Sequence, residues 1–191
     1  MTVDAMPALM TTEELLALPD DGTVERDLIA GQLRERPMTR RNPFHAGTEA
    51  DVAHVLISWL KTQPEPRGKV YSGEVGVRIR ANPDTTVGID VAYFSHEVVA
   101  ANATSKRILD GAPVLAVEIL SPSDQQDDVL EKVGEYLAAG VKLVWVVEPV
   151  YRTVTVYRPD REPELFNVTA ELAGDAHLPG FRVPVAELFG A

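Results

Sequence analysis

Three stretches of the chain place apolar residues at helical spacing. Thr11, followed by Glu13-Glu14 and Leu15-Leu16, is a capping pattern that predicts a short N-terminal helix. An amphipathic helix is predicted over 44–62, after Asn42-Pro43. A third helix is predicted over 125–139, with its N-cap within Ser121-Pro122-Ser123-Asp124 and its end at Gly140.

Between these helices the hydrophobic period changes to that of strands. Alternation at Val75, Val77 and Ile79 predicts a half-buried strand, and almost unbroken apolar runs predict central strands. Further strands are predicted as a hairpin over 24–37 and over 87–94, 114–120, 142–148 and 154–157, with shorter pieces over 160–189. The element order predicts one α/β (α+β) domain over 1–191, with a central mixed sheet flanked by helices.

Composition and charge narrow the function classes. The chain is 45% hydrophobic and 25% charged, which excludes a disordered, collagen-like or disulfide-scaffold protein, and it has no cysteine. A formal net charge of −11 argues against a protein that coats nucleic acid. Residues 34–80, however, hold nine basic and five acidic residues, including Arg40 and Arg41. That stretch is either a solvated face or a place for backbone phosphates.

The first thirty residues and the apolar runs also bear on location. The start is acidic and lacks a long apolar run, so no secretory signal is expected. No window approaches the roughly 20 apolar residues of a membrane span, so no membrane partner is expected either. A cytoplasmic location is the prediction.

Glu118 carries the strongest chemical signal, because it stands at the centre of the apolar run Val114 to Leu120. A carboxylate in a central strand costs several kcal/mol unless it is paired or binds a cation. Lys132 lies at a similar depth if the third helix packs back along the sheet. The alternative is that Lys132 is a surface residue paired with Asp128.

Asp90 interrupts the other strongly apolar strand, Val87 to Phe94. Two strand-borne carboxylates suit a divalent cation, above all Mg²⁺, or Mn²⁺ in its place. With a lysine beside them, they suit metal-assisted attack of water on a phosphodiester. The lysine would orient the water or stabilise the transition state. The alternative for Asp90 is a carboxylate that only satisfies a strand end or turn.

The same residues lie in blocks that resemble a known family. The blocks are Ile89-Asp90-Val91-Ala92-Tyr93-Phe94-Ser95, Val117-Glu118-Ile119-Leu120-Ser121-Pro122-Ser123, Glu131-Lys132, Tyr136-Leu137-Ala138-Ala139-Gly140-Val141 and Leu143-Val144-Trp145-Val146-Val147-Glu148-Pro149. Over nearly the whole chain the sequence resembles the Uma-two family of bacterial endonucleases, a branch of the PD-(D/E)xK nuclease-like superfamily.

The resemblance implies a restriction-endonuclease-like core and a DNA-cleaving activity. By likeness, Asp90 is the motif aspartate, Glu118 is the acidic residue of the second motif, and the Ile119 carbonyl is a further metal ligand. The superfamily lysine is displaced from the position of Leu120 to Lys132.

The chain departs from the family pattern at several positions. Ile89 stands where proline is expected, and Asp27 and Gln32 stand where the family has glutamates. His45 matches a family histidine at the start of the long helix, where a capping or packing role is the simpler interpretation. Glu49, one turn later, is a possible further acid of the site.

Three functions stay open at this point. The first is a Mg²⁺-dependent endodeoxyribonuclease, with DNA as its partner and a homodimer expected for cutting two strands. The second is a catalytically impaired nuclease fold that binds nucleic acid or protein. The third is a hydrolase of small phosphates. The nuclease hypothesis requires Asp90 and Glu118 to converge on one cation, with the Lys132 ammonium within about 5 Å.

Overall fold

The computed structural model describes residues 9–38, 42–122 and 124–190. Its four α-helices are α1 (Thr12–Ala17), α2 (Pro43–Lys61), α3 (His96–Ala101) and α4 (Gln126–Ala138), and a 3₁₀ helix spans Val185–Phe189. Its strands are β1 (Val24–Ile29), β2 (Gln32–Pro37), β3 (Lys69–Arg80), β4 (Thr85–Phe94), β5 (Leu109–Asp110), β6 (Leu115–Ile119), β7 (Leu143–Glu148), β8 (Thr153–Tyr157), β9 (Glu164–Asn167), β10 (Glu171–Ala173) and β11 (Arg182–Pro184).

The mixed central sheet that the sequence predicts is confirmed. Its strand order is β2-β1-β4-β6-β7-β8-β9, while β3 pairs with β4 and with the short β5. Strands β6 and β7 are parallel, and α4 makes the crossover between them. Strand β4 is antiparallel to β6 and places Val91 opposite Val117. The two predicted acidic residues therefore lie on neighbouring strands at the centre of the sheet.

Two apolar cores cover the two faces of this sheet. On one face, Val52, Leu56 and Trp59 of α2 pack in a cluster with Val117 and Trp145. On the other face, Val133 and Tyr136 of α4 pack in a cluster with Ala116, Val144 and Ile89. Because side chains alternate along a strand, Glu118 shares the α4 face with Ala116.

The local signals for helix ends hold at two of three helices. Thr11 caps α1, and its side chain and that of Glu14 form the reciprocal capping box. Asn42 caps α2 by accepting from the His45 amide. For α4 the prediction was wrong. The N-cap is Gln125, without a side-chain cap, because Asp124 instead accepts from the Ser121 amide at 2.7 Å. Ser123 lies outside the described residues.

A β-bulge in β3 lies opposite Asp90. The register passes from Ser72–Val91 to Val75–Ile89, so Gly73 and Glu74 together face one residue of β4. Both bulge residues have positive φ angles, 86° for Gly73 and 54° for Glu74. The bulge turns the Gly73 amide toward α2, where it donates to Glu49 at 2.6 Å. It thereby fixes an acidic side chain of α2 beside the strand that carries Asp90.

The lengths and compositions of the helices bear on whether the chain could span a membrane. Among the residues that the structure describes, none of the helices combines the length and the apolar character needed to cross a membrane.

Candidate functional site

A cavity of about 340 Å³ opens between β4, β6 and the start of α4. Asp90, Glu118 and Lys132 all lie along its wall, so the structure brings the three predicted site residues together. Its other lining residues are Glu25, Arg36, Pro37, Glu74, Ile119, Leu120, Ser121, Asp124, Gln125, Asp128 and Val129. The wall holds more carboxylates than cationic groups, which makes the cavity a place for a cation.

Glu118 is held by two side chains of α4. Lys132 donates to it at 3.0 Å, and the hydroxyl of Tyr136 donates to its other oxygen. Lys132 and Tyr136 stand four residues apart on α4 and therefore share one face of the helix. The ammonium of Lys132 also donates to the Gly88 carbonyl at 3.0 Å. Lys132 is 7% exposed, so the alternative of a surface pair with Asp128 is wrong.

Burial and charge shift the pKa values of this group. Burial raises the pKa of the Glu118 carboxyl, although Lys132 acts against it. Burial lowers the pKa of Lys132, but the charges of Glu118 and Asp27 outweigh burial and the net pKa is raised. Burial and the Glu118 charge raise the pKa of Tyr136 well above its usual value. Lys132 and Tyr136 therefore remain protonated donors at neutral pH.

Asp90 lies beside this group, on the side of α2. Its Oδ2 accepts from the Ile119 amide at 2.7 Å, and its Oδ1 lies 3.4 Å from Nε2 of His45. Burial acts to raise the pKa of Asp90, but the contacts with His45 and the Ile119 amide outweigh it, and the pKa is lowered. Asp90 is therefore a carboxylate at neutral pH. It lies in mid-strand, so the alternative of a strand-end or turn carboxylate is wrong.

His45, Glu49 and Asp90 form a cluster that could hold a metal ion. One ligand atom from each lies within 4.8 Å of the others. His45 is 1% exposed, and neither ring nitrogen makes a hydrogen bond of good geometry to any residue the structure describes. A buried imidazole in that state points to a ligand, because burying an unsatisfied polar group is costly. Its interpretation as a capping or packing residue is incomplete.

Two departures from the family pattern, Asp27 and Gln32, lie in different surroundings in the structure. Asp27 is buried, accepts from the Gly88 amide at 3.1 Å and lies 4.0 Å from the Lys132 ammonium. It therefore reaches the Lys132 ammonium despite its short side chain. Gln32 is exposed and accepts from Arg34.

Sequence reasoning missed Tyr136 and underrated His45. Tyr136 follows Lys132 by one helical turn, and the contact of its hydroxyl with Glu118 becomes visible only once β6 is placed against α4. For His45 a signal existed, because His45 and Glu49 are four residues apart and share a helix face.

Of the two interpretations of the basic stretch 34–80, a solvated face or a place for backbone phosphates, its described arginines favour the first. Its described arginines are largely paired with acidic side chains within this chain. The pairs are Arg34–Glu131, Arg36–Glu25, Arg36–Asp27, Arg67–Glu65, Arg78–Asp110 and Arg80–Glu135. Arg40 and Arg41 lie outside the described residues. The stretch is therefore mostly a neutralised face.

Comparisons with known proteins agree with this fold and identify a family. The family model Uma2, described as "Putative restriction endonuclease", matches residues 12–186. A crystal structure of a "putative nuclease belonging to DUF820" from Anabaena variabilis ATCC 29413 superimposes with a TM-score of 0.76. It is 24% identical and covers 94% of this chain and 97% of its own. None of the curated proteins matches the chain.

Proposed function

The chain belongs to the Uma2 family, and on that premise we propose that it is a metal-dependent endonuclease that hydrolyses DNA phosphodiester bonds. One observation carries the proposal. A buried lysine and glutamate meet at 3.0 Å in the same cavity that Asp90 lines, so two carboxylates and an ammonium face one small space. This is the set that metal-assisted phosphodiester hydrolysis needs.

The residues fit a divalent cation. His45, Glu49 and Asp90 would supply the ligand atoms, since these lie within 4.8 Å of one another. Glu118 lines the same cavity as Asp90 and would add a further carboxylate, although its oxygens already accept from Lys132 and Tyr136. Mg²⁺ prefers carboxylates and waters, whereas an imidazole suits transition metals, so the set accommodates Mg²⁺ or Mn²⁺. When bound, the cation supplies positive charge that stabilises the transition state of phosphoryl transfer.

The chain's own groups supply the remaining chemistry. Lys132 presents a protonated ammonium at the cavity wall, where it orients the attacking water or stabilises the charge that develops on the phosphate. Tyr136 and the Gly88 carbonyl hold Lys132 and Glu118 in place. Asp27, 4.0 Å from the ammonium, helps to keep Lys132 charged.

Plasmid nicking with Mg²⁺ or Mn²⁺ tests the proposal. Lys132→Met and Glu118→Gln are expected to lower the cleavage rate by about 100-fold or more. The first removes the ammonium that would face the reacting phosphate, and the second removes a carboxylate that would face the cation. Lys142→Met and Glu162→Gln are the matched controls, since both side chains are exposed away from the cavity. Thermal melting checks that the variants fold.

Two results would contradict the proposal. Cleavage that survives both site substitutions would move the chemistry elsewhere. Plasmid binding without nicking, with either ion, would favour the alternative of a nuclease fold that binds DNA and does not cut it.

A further inference from the structure

A second cavity lies at the N-terminal half of α2, the helix that also carries His45 and Glu49. It encloses about 350 Å³ and is lined by Pro43, Phe44, Gly47, Thr48, Asp51, Pro149, Arg152, Phe189 and Gly190. That volume lies within the range of small-ligand pockets. The α2 members are spaced by three and four residues, so they form one helix face, while His45 and Glu49 form the next.

The cavity and the metal-site candidate share an edge of the sheet. Ile119 pairs with Val147 in the parallel ladder of β6 and β7, and the cavity residue Pro149 follows two positions later. Phe44 is the direct chain neighbour of His45, whose imidazole lies 3.4 Å from Asp90. A polymer bound at Asp90 therefore passes close to this cavity.

The lining has the chemistry of a base-binding pocket. Phe44 is 71% exposed, which is unusual for so large an apolar ring, and the Phe189 ring lies 5.8 Å from the guanidinium of Arg152. Aromatic faces and arginine planes are the surfaces on which unpaired bases stack. The side chains of Asp51 and Arg152 form no hydrogen bond or ion pair with the residues that the structure describes, and the Arg152 guanidinium packs on Phe189. Both remain available to a ligand.

We propose that this cavity binds an unpaired guanine of the DNA strand held at the Asp90 site. Phe44 stacks on the base, Arg152 pairs with its phosphate, and Asp51 accepts from the base edge. Two adjacent N–H donors on the Watson–Crick edge of guanine match the two oxygens of a carboxylate. That edge is free only in an unpaired base. The proposal rests on the nuclease function and specifies its substrate as DNA with unpaired nucleotides.

Gly47 allows the cavity to be filled without strain. A Cβ at Gly47 meets no atom within 4 Å, and leucine favours a helix more than glycine does. Gly134 of α4 has the same open surroundings and is the matched control. Binding is measured by fluorescence anisotropy on thymine oligonucleotides that carry one central guanine, adenine, inosine or no substitution. Divalent cations are left out, so no cleavage is needed for the readout.

The wild-type chain is expected to bind the guanine oligonucleotide about tenfold more tightly than the thymine or inosine ones, because inosine lacks one of the two donors. Gly47→Leu removes this preference and Gly134→Leu keeps it. Phe44→Ala weakens binding of every oligonucleotide about tenfold. Asp51→Asn removes the preference for guanine, because the amide presents one acceptor oxygen where the carboxylate presents two.

Equal affinity for guanine and thymine oligonucleotides would overturn the proposal, and so would an unchanged preference in Gly47→Leu. If Gly47→Leu instead changes the sedimentation of a dimer, the cavity is a contact between copies, and the proposal also falls. Cleavage without base preference would refute this inference alone. A guanine preference without cleavage under Mg²⁺ would refute the nuclease function alone.

Discussion

At the scale of single residues, the site is a set of buried polar groups that satisfy one another. Glu118 is desolvated, and its carboxylate is tolerated because Lys132 and Tyr136 both donate to it. Removing one partner leaves the others with the full cost of burial. Stability and chemistry are therefore coupled at these positions.

Tyr136→Phe tests that coupling. The change keeps the ring, which is fully buried, and removes one donor to Glu118. The free energy of unfolding in urea is expected to fall by about 1–3 kcal/mol. Tyr151→Phe is the control, because Tyr151 is 79% exposed, and its stability should match wild type. Equal stability of the two variants would mean that the Tyr136 hydroxyl contributes nothing to holding Glu118.

At the scale of elements, two features position the site. One is the β-bulge in β3, and the other is the strap, by which we mean the two hydrogen bonds from Thr12 of α1 to Asp84. The bulge at Gly73 and Glu74 widens β3 opposite Asp90 and ties α2 to the sheet through Glu49. Asp84, after the turn between β3 and β4, accepts from both the amide and the hydroxyl of Thr12. It fastens α1 across the sheet.

The bulge predicts opposite effects for two glycine substitutions. Gly73 has a φ of 86°, so Gly73→Ala is expected to destabilise the fold by about 1–2 kcal/mol. Gly134 lies within α4 in open space, so Gly134→Ala is expected to stabilise by about 0.5–1 kcal/mol. Urea unfolding measures both. A stabilising Gly73→Ala would show that the bulge geometry is not required.

The strap predicts a pH dependence of stability. Hydrogen bonds from Thr12 lower the pKa of Asp84, against the effect of burial. In acid, the unfolded chain therefore binds more protons at the Asp84 carboxyl than the folded chain does. The stabilisation of the fold by the Asp84 carboxylate is present at neutral pH and is lost as pH falls through the lowered pKa.

Asp84→Asn is accordingly expected to cost about 1–3 kcal/mol at pH 7 and clearly less near pH 3. Urea unfolding at the two pH values measures the difference, with the exposed Asp160→Asn as control. A difference between wild type and Asp84→Asn that stays constant from pH 7 to pH 3 would contradict this origin.

Hydrophobic periodicity was enough to predict the main elements. The depth of Glu118 in its strand made Lys132 a candidate partner but left a surface pair with Asp128 open, and the family resemblance led to the choice of Lys132. The observed distance of 3.0 Å confirms that pairing. The bulge could not be predicted, because it depends on the register between β3 and β4. The N-cap of α4 failed because Asp124 was free to bond the Ser121 amide instead. The spacing of His45 and Glu49 shows only that the two share a helix face. The position of His45 beside Asp90 depends on where α2 meets β4, which the local sequence does not specify.

At the scale of the whole molecule, the formal net charge of −11 is unevenly distributed over the structure. Acidic side chains line the cavity, and the described arginines of the basic stretch are largely paired with acidic side chains of the same chain. Two consequences follow. Under the proposed nuclease function, DNA binding would rest on few phosphate contacts, and a divalent cation would offset the acidic wall of the cavity. The homodimer and the cytoplasmic location stay predictions.

The dependence of DNA affinity on salt concentration measures how many phosphates the protein contacts. The slope of the logarithm of the DNA association constant against the logarithm of salt concentration is expected to be about −2 or shallower, because each neutralised phosphate contributes about −0.9. Fluorescence anisotropy of a short duplex from 50 to 200 mM salt gives the slope. A slope steeper than about −4 would reveal a basic surface beyond the paired arginines.

The central claim is that Asp90 is a ligand of one divalent cation, and calorimetric titration with Mn²⁺ tests it most directly. The wild-type chain is predicted to bind one ion per chain. Asp90→Asn is predicted to lose that binding while remaining folded, and the exposed Asp160→Asn is predicted to keep it. A wild-type chain that takes up no Mn²⁺, or an Asp90→Asn variant that binds as wild type does, would contradict the account.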